Sequence, residues 1–334
     1  MSIKIAINGF GRIGRPTLRR LLENSDLEVV AINDLTDNKT LAHLLEYDSV
    51  YGVYDKTVDY SDNVLIVDDK EIKSLTEKDP EKLPWGNLGV DIVLECTGYF
   101  ADADGASKHI KAGAKKVIIS APCKSEGVPH FVLGVNEDKY DKEKDNVMSM
   151  ASCSTNALAP MAKVIHDNFE IESGLMTTIH SYTNDQQLLD FPHCDLRRTR
   201  AAALSMIPTT TGAAIAVTKT IPDLQGKIHG LSVRVPTPTV SLMDLTAKVK
   251  KETSVKEVNN VFKQAIENLK GIVGVEEKPL VSIDYRGNSH SVIIDTMSTM
   301  VMCKNLVKVL GWYDNEWGYA NRLAEFADYV GKKI

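Results

Sequence analysis

The sequence lacks several things, and each absence excludes a class of protein. No apolar run approaches the roughly 20 residues that a bilayer-spanning helix needs. Cysteine is scarce: Cys96, Cys123, Cys153, Cys194 and Cys303 are odd in number, widely scattered and free of any C-x-x-C pair. That argues against a disulfide framework and against a thiolate zinc site. The eight histidines form no H-E-x-x-H or H-x-E pattern, so no metal is expected. Excess positive charge is also missing. The net charge is −6, which leaves no general electrostatic footprint for nucleic acid. The amino-terminal MSIKIAINGFGR has none of the three regions of a secretory signal and reads as the start of a fold. A soluble, cytoplasmic protein is expected, with neither membrane nor nucleic acid as partner.

What is present is a chain of 334 residues, 43% hydrophobic and 25% charged, long enough for two globular domains. In the first 150 residues, short Val- and Ile-rich runs at 3–7, 28–32, 91–95, 116–119 and 131–135 read as buried strands. They alternate with helical patterns at 16–23, 41–47 and 103–112, the signature of a Rossmann-like, doubly wound parallel sheet. Shorter alternating runs within 58–76 suit an inserted hairpin. Beyond about Met150 the pattern changes. A helix at 156–168 is followed by long runs at 175–182, 227–235, 240–251, 291–299 and 306–313. These predict an α+β domain with a mostly antiparallel sheet covered by helices on one face. Ser254 and Glu257 form a capping box for a helix through 269. The expected division is 1–151 and 152–317, with a carboxy-terminal helix within 318–334 packing back on the first domain.

Gly9-Phe10-Gly11-Arg12-Ile13-Gly14 fits G-x-G-x-x-G. Alone that string is weak evidence, but a strand precedes it and Pro16 follows in the first helical turn. Gly9 and Gly11 let the backbone approach a pyrophosphate, and the helix amino terminus offers N–H groups and the positive end of its dipole. Twenty residues past Gly14 stands Asp34, at the end of the second strand. A carboxylate there accepts from ribose hydroxyls and repels a 2′-phosphate, so NAD is favoured over NADP.

Ala151-Ser152-Cys153-Ser154-Thr155-Asn156 precedes the apolar helical run from Ala157. A thiol at a helix amino terminus has a lowered pKa and a larger thiolate fraction. The plainer alternative is a small buried hydrophobe, but small hydroxyl and amide neighbours set Cys153 apart from the other four. A thiolate needs a base within reach, and His180 emerges at the end of an apolar run. Pro208-Thr209-Thr210-Thr211-Gly212 leads into a helical pattern and reads either as an anion cradle or as a plain Thr N-cap. Arg234 is a charge in an otherwise apolar strand, where a phosphate is a natural partner. Arg197, Arg198 and Arg200 form a basic cluster that fits a solvated face or a subunit contact equally well.

INGFGRIGR, the ASC-x-TN segment, HSYTNDQ, DLRRTRAAA, PTTTGAA, RVPTP and WYDNEWGY, in this order over essentially the whole chain, resemble the phosphorylating glyceraldehyde-3-phosphate dehydrogenase family. The resemblance implies a homotetramer that oxidises glyceraldehyde 3-phosphate with NAD and inorganic phosphate. It implies Cys153 as the nucleophile that forms a hemithioacetal, and His180 as the base that activates the thiol and assists hydride departure. Arg12 and Ile13 would hold the pyrophosphate, Asp34 the adenosine ribose, Lys78 and Ser120 further parts of the cofactor, and Asn315 the nicotinamide amide. Thr183 and Arg234 would hold the substrate's own phosphate. Ser152, Ser154, Thr211 and Gly212, with Arg198 nearby, would receive the inorganic phosphate. Two positions depart from the family pattern: Ser154 stands where Thr or Asn is usual, and Ala157 where a second cysteine is common. Erythrose-4-phosphate dehydrogenase and non-phosphorylating thiol aldehyde dehydrogenases are the rival readings.

Overall fold

Strands rich in Val and Ile that alternate with helices bury both faces only in a parallel sheet flanked by helices. The computed structural model, which describes residues 2–334, has this arrangement in the first of two compact units. That unit comprises residues 2–131, 138–151 and 320–334. Its eight-stranded sheet runs in the order Val147–Ser149, Lys116–Ile119, Ile92–Glu95, Ile3–Asn8, Leu27–Asn33, Lys70–Leu75, Val64–Val67, Val58–Ser61. The first six strands are parallel, and the last two join antiparallel as the inserted hairpin. The chain builds outward from Ile3–Asn8 to Leu27–Asn33, then returns to lay Ile92–Glu95 on the other side. The crevice at the carboxyl ends of these strands is the switch point where open α/β sheets bind ligands.

One expected strand is absent. Residues 131–135 are apolar, with 131–133 buried and 134–135 half-buried, but they form a loop that turns at Gly134. The sixth parallel strand is Val147–Ser149 instead, a three-residue segment after Lys144-Asp145-Asn146 that carries little signal. A buried apolar run meets the same hydrophobic demand whether it is strand or covered loop, so periodicity does not separate the two.

The second unit comprises residues 132–137 and 152–319. Its seven-stranded sheet has the order Ile207–Thr209, Ile228–Val235, Ile171–Ser181, Ser241–Val249, Leu306–Tyr313, Val292–Met302, Val273–Glu276. Pairing is antiparallel except between Ile171–Ser181 and Ile228–Val235, and between Val273–Glu276 and Val292–Met302. Helices Cys153–Phe169, Ala213–Thr220 and Val255–Asn268 share one core with the sheet, built from residues such as Leu158, Ile165, Val217, Phe262, Met243 and Val309. Ser254 caps its helix by accepting from the Glu257 N–H at 3.3 Å, while its hydroxyl donates to the Glu257 carboxylate at 2.9 Å. The α/β and α+β classes expected for the two parts are both met. Among the described residues no helix is long and apolar enough to cross a membrane.

Candidate active site

In the first unit the glycine turn follows directly from strand Ile3–Asn8. Gly9 has φ +93°, and a Cβ there would lie 2.7 Å from the backbone of Cys96 and Thr97, so only glycine lets the two strand ends approach. A Cβ on Gly14 would meet the Gly9 carbonyl oxygen at 2.2 Å, which locks the helix Gly14–Leu21 tightly under the turn. Gly11 faces open space. Ile13 is the N-cap and supplies no side-chain cap, the kind of helix end that anions favour. Asp34 is half-buried, with one oxygen accepting the Phe10 N–H at 2.8 Å and the other the Thr36 N–H at 3.0 Å. Each oxygen keeps a lone pair, which is what ribose hydroxyls require. Gly9, Gly11, Asp34 and Lys78 line one cavity of about 1090 Å³. The glycine geometry, the uncapped helix and the aimed carboxylate fit a dinucleotide.

The remaining predicted cofactor residues are placed differently. The Arg12 guanidinium turns to Asp48 at 2.5 Å and over the Tyr51 ring, so its side chain serves the local structure. Ser120 follows strand Lys116–Ile119, and its N–H donates to the Glu95 carbonyl at 2.9 Å. Its hydroxyl bonds the Cys96 thiol, which burial nevertheless pushes up to about 12.

A polar network beneath the turn went unforeseen. Glu95, 1% exposed, accepts from the Asn8 amide at 2.5 Å and from Nε2 of His109 at 3.1 Å. Trp85 Nε1–H donates to Nδ1 of His109 at 2.9 Å, which leaves the imidazole proton on Nε2, facing the carboxylate. A glutamate inside the apolar run 91–95 was the available signal.

In the second unit the helix carrying the thiol begins at Cys153, three residues earlier than expected. Ser152 is its N-cap and accepts the Thr155 N–H at 3.1 Å. Apolar periodicity registers only from Ala157, whereas the cap sets the true start. Cys153 therefore occupies the first helical position, partly accessible, with Sγ 3.5 Å from Nε2 of His180. His180 is the penultimate residue of Ile171–Ser181, and the parallel register sets it beside Arg234. Burial and the Arg234 charge hold the imidazole down, at about 3. The expectation of a lowered thiol pKa does not hold for the thiol alone. Burial pushes Cys153 up, against the pull of Arg234 and of the Ser154 hydroxyl and N–H. Moving the proton from Sγ to Nε2 creates both charges together, 3.5 Å apart, so each offsets the other's desolvation.

Tyr313 was not singled out by the sequence. Its buried hydroxyl lies 2.9 Å from Ser154 Oγ and 2.7 Å from Thr178 Oγ1, and its ring meets His180 edge-on. Arg234 Nη1 lies 2.9 Å from Nδ1 of His180 and donates to the Ser181 carbonyl at 3.1 Å, while its buried Nε has no hydrogen-bond partner. An orphaned guanidinium N–H next to a nucleophile suits an anion. Thr183 lies just beyond the strand end, its N–H donating to Gln186 at 3.3 Å. Thr211 Oγ1 accepts the Ala213 N–H at 3.2 Å, so it caps the helix Ala213–Thr220 together with the N-cap Gly212. Arg198 is held by Asp185 and by Thr209 Oγ1 at 2.9 Å. Ser241 Oγ donates to Asn315 Oδ1 at 2.9 Å.

Known proteins carry the same arrangement of sequence. The profile described as glyceraldehyde 3-phosphate dehydrogenase, NAD binding domain, matches residues 3–103, and the profile of the C-terminal domain matches residues 152–315. Glyceraldehyde-3-phosphate dehydrogenase of Geobacillus stearothermophilus is 57% identical over 334 residues, covering 100% of this chain and 99% of that protein. Glyceraldehyde-3-phosphate dehydrogenase 1 of Bacillus subtilis is 56% identical with the same coverage. Glyceraldehyde-3-phosphate dehydrogenase 2 of Streptomyces avermitilis is 54% identical over 336 residues, with both chains fully covered. With its strand–glycine–helix turn and its thiol–imidazole pair, the chain belongs to the glyceraldehyde-3-phosphate dehydrogenase family, and NAD is its cofactor.

Proposed function

We propose that the protein oxidises D-glyceraldehyde 3-phosphate with NAD and inorganic phosphate to 1,3-bisphosphoglycerate, through a thiohemiacetal and a thioester on Cys153. The observation that carries this reading is the 3.5 Å approach of Cys153 Sγ to His180 Nε2 at the start of a helix. His180 takes the thiol proton as sulfur attacks the aldehyde carbon. The imidazolium returns that proton to the alkoxide, giving the hemithioacetal hydroxyl, and His180, neutral again, takes it back as the hydride departs. When bound, NAD supplies the hydride acceptor. The thioester left on Cys153 is cleaved by phosphate, which frees the acyl phosphate and restores the thiolate.

Gly9, Gly11, Arg12 and Ile13 hold the cofactor's pyrophosphate through their backbone, Asp34 its ribose, Lys78 and Ser120 further contacts, and Asn315 the nicotinamide amide. Thr183 and Arg234 take the substrate's phosphate, supported by the orphaned Arg234 Nε. Ser152, Ser154, Thr211, Gly212 and Arg198 receive the inorganic phosphate. Ser154 keeps a hydroxyl at the position where Thr or Asn is usual. In this reading the unit starting at the amino terminus binds NAD and the second carries the chemistry. The exposed apolar side chains of Leu188, Leu189, Phe191, Leu196, Leu204 and Met206 favour a homotetramer that covers them.

The test is NADH formation with glyceraldehyde 3-phosphate and with erythrose 4-phosphate, each with and without phosphate. Phosphate-dependent turnover on glyceraldehyde 3-phosphate is expected. Sustained turnover without phosphate means that water cleaves the thioester, and a preference for erythrose 4-phosphate means that the rival enzyme is present.

A further inference from the structure

Val240 has φ +66°, a conformation that a β-branched residue rarely adopts and that persists only when its surroundings dictate it. It is 3% exposed, and its two neighbours and its own carbonyl are all engaged. Thr239 Oγ1 donates to Asp314 Oδ1 at 3.0 Å. The Val240 carbonyl accepts from Ser181 Oγ at 2.8 Å. Ser241 Oγ accepts the Ser181 N–H at 3.1 Å and donates to Asn315 Oδ1 at 2.9 Å. The strained corner therefore holds two chain segments at once: the strand end that carries His180, and the turn that carries Asn315. Asp314 fixes that turn further, accepting the N–H groups of Glu316 at 3.0 Å, Trp317 at 2.9 Å and Gly287 at 2.8 Å.

Ser241 has a single hydroxyl hydrogen. Because the backbone N–H of Ser181 can only donate, the serine oxygen accepts there and its hydrogen goes to Asn315. With the amide reversed, both neighbours would donate to Oγ and the buried hydroxyl hydrogen would lose the acceptor it has in Asn315 Oδ1, so the orientation with Oδ1 towards Ser241 is favoured. Oδ1 of Asn315 is occupied, so the Nδ2 hydrogens are the end left to donate. Ser241 is 1% exposed and Asn315 4%, so water does not replace the missing partner when the hydroxyl is removed.

We infer that Ser241 is a positioning residue that sets the amide of Asn315 to present its N–H donors to the carboxamide oxygen of the nicotinamide. This rests on the reading of Asn315 as the nicotinamide clamp. The relay starts one residue from His180, so it also ties the amide's position to the register of the strand bearing the base.

The test is calorimetric binding of NAD and of ADP-ribose, which lacks the nicotinamide, to the full-length protein and three variants. Ser241→Ala should weaken NAD on the order of tenfold, the scale of one misdirected buried hydrogen bond, and leave ADP-ribose within about twofold. Ser241→Thr, which keeps the hydroxyl, should restore the difference between the two ligands. Asn315→Ala should weaken NAD at least as much as Ser241→Ala and spare ADP-ribose. Equal weakening of both ligands in Ser241→Ala, or no weakening, overturns the role given to Ser241 while Asn315→Ala still discriminates. If Asn315→Ala leaves NAD binding unchanged, the clamp reading itself fails, and the inference with it.

Discussion

Nη1 of Arg234 lies 2.9 Å from Nδ1 of His180, the imidazole whose Nε2 faces Cys153. A guanidinium only donates, so this contact needs a bare Nδ1 and leaves the imidazole proton on Nε2, against sulfur. The Ser181 carbonyl, 2.7 Å from the same Nδ1, calls for the opposite tautomer, in which Nε2 is bare and able to act as a base. Both are not satisfied together. If Arg234 takes the substrate's phosphate as proposed and turns away from Nδ1, the conflict resolves in favour of the base. Arg234→Leu should therefore raise KM for glyceraldehyde 3-phosphate and lower kcat/KM by about one to two decades, as expected when a charge-assisted, partly buried contact is lost. Steady-state kinetics with each ligand varied in turn checks this. An unchanged KM for the aldehyde removes Arg234 from the substrate site.

The same pair governs thiol reactivity. With the imidazole present, the thiolate forms with a counter-charge at hand; without it, the burial that raises the thiol pKa is offset only in part, by Arg234 and by hydrogen bonds from Ser154 and the local backbone. His180→Asn should slow alkylation of Cys153 by iodoacetamide at neutral pH by roughly one to two decades. In the unaltered protein Cys153 should label ahead of Cys96, whose thiol is pushed up to about 12. Peptide mapping after brief labelling measures both. Labelling of Cys194 or Cys303 first, with activity retained, counts against Cys153 as the nucleophile.

Stability should depend on pH through His180. The folded protein holds this imidazole neutral down to about 3, while the unfolded chain takes up a proton near the ordinary value of about 6.5. Between these values the unfolded state binds more protons, so stability is full above pH 6.5 and is lost as the pH falls towards 3. The slope due to this group is at most about 1.4 kcal/mol per pH unit. Denaturant unfolding at several pH values should show a shallower acid loss in His180→Asn. Parallel curves for the two proteins between pH 6.5 and 4 would show that the imidazole is not held neutral.

Cofactor choice should rest on Asp34. Its two oxygens are oriented by the Phe10 and Thr36 N–H groups, so the carboxylate meets a ribose in a fixed pose and opposes a 2′-phosphate. Asp34→Ala should weaken NAD and bring NADP closer to it, as read from kcat/KM for each. An unmodified enzyme that already uses both equally well disproves the assignment.

Local patterns in the sequence determined much of this protein. The glycine turn between Ile3–Asn8 and Gly14–Leu21, Asp34 at its spacing, the two sheet types and the strand Leu306–Tyr313 follow from steric demands and periodicities that operate over a few residues. Cys153 and His180 stood out by their neighbours in the chain. Tertiary structure alone decided how such residues meet. His180 lies opposite Arg234 because two parallel strands pair in one register, and a slip of one residue would turn either side chain to the other face. Ser241 reaches Asn315 across 74 positions, and Tyr313 reaches Ser154 across 159, only because the sheet and the helix packed on it bring them together. The run 131–135 shows the converse: its burial followed from composition, but whether it formed a strand depended on which partner edge was available. Hydrophobic periodicity specifies which face is buried, whereas distances between remote side chains arise from strand pairing and close packing, and these are properties of the whole fold.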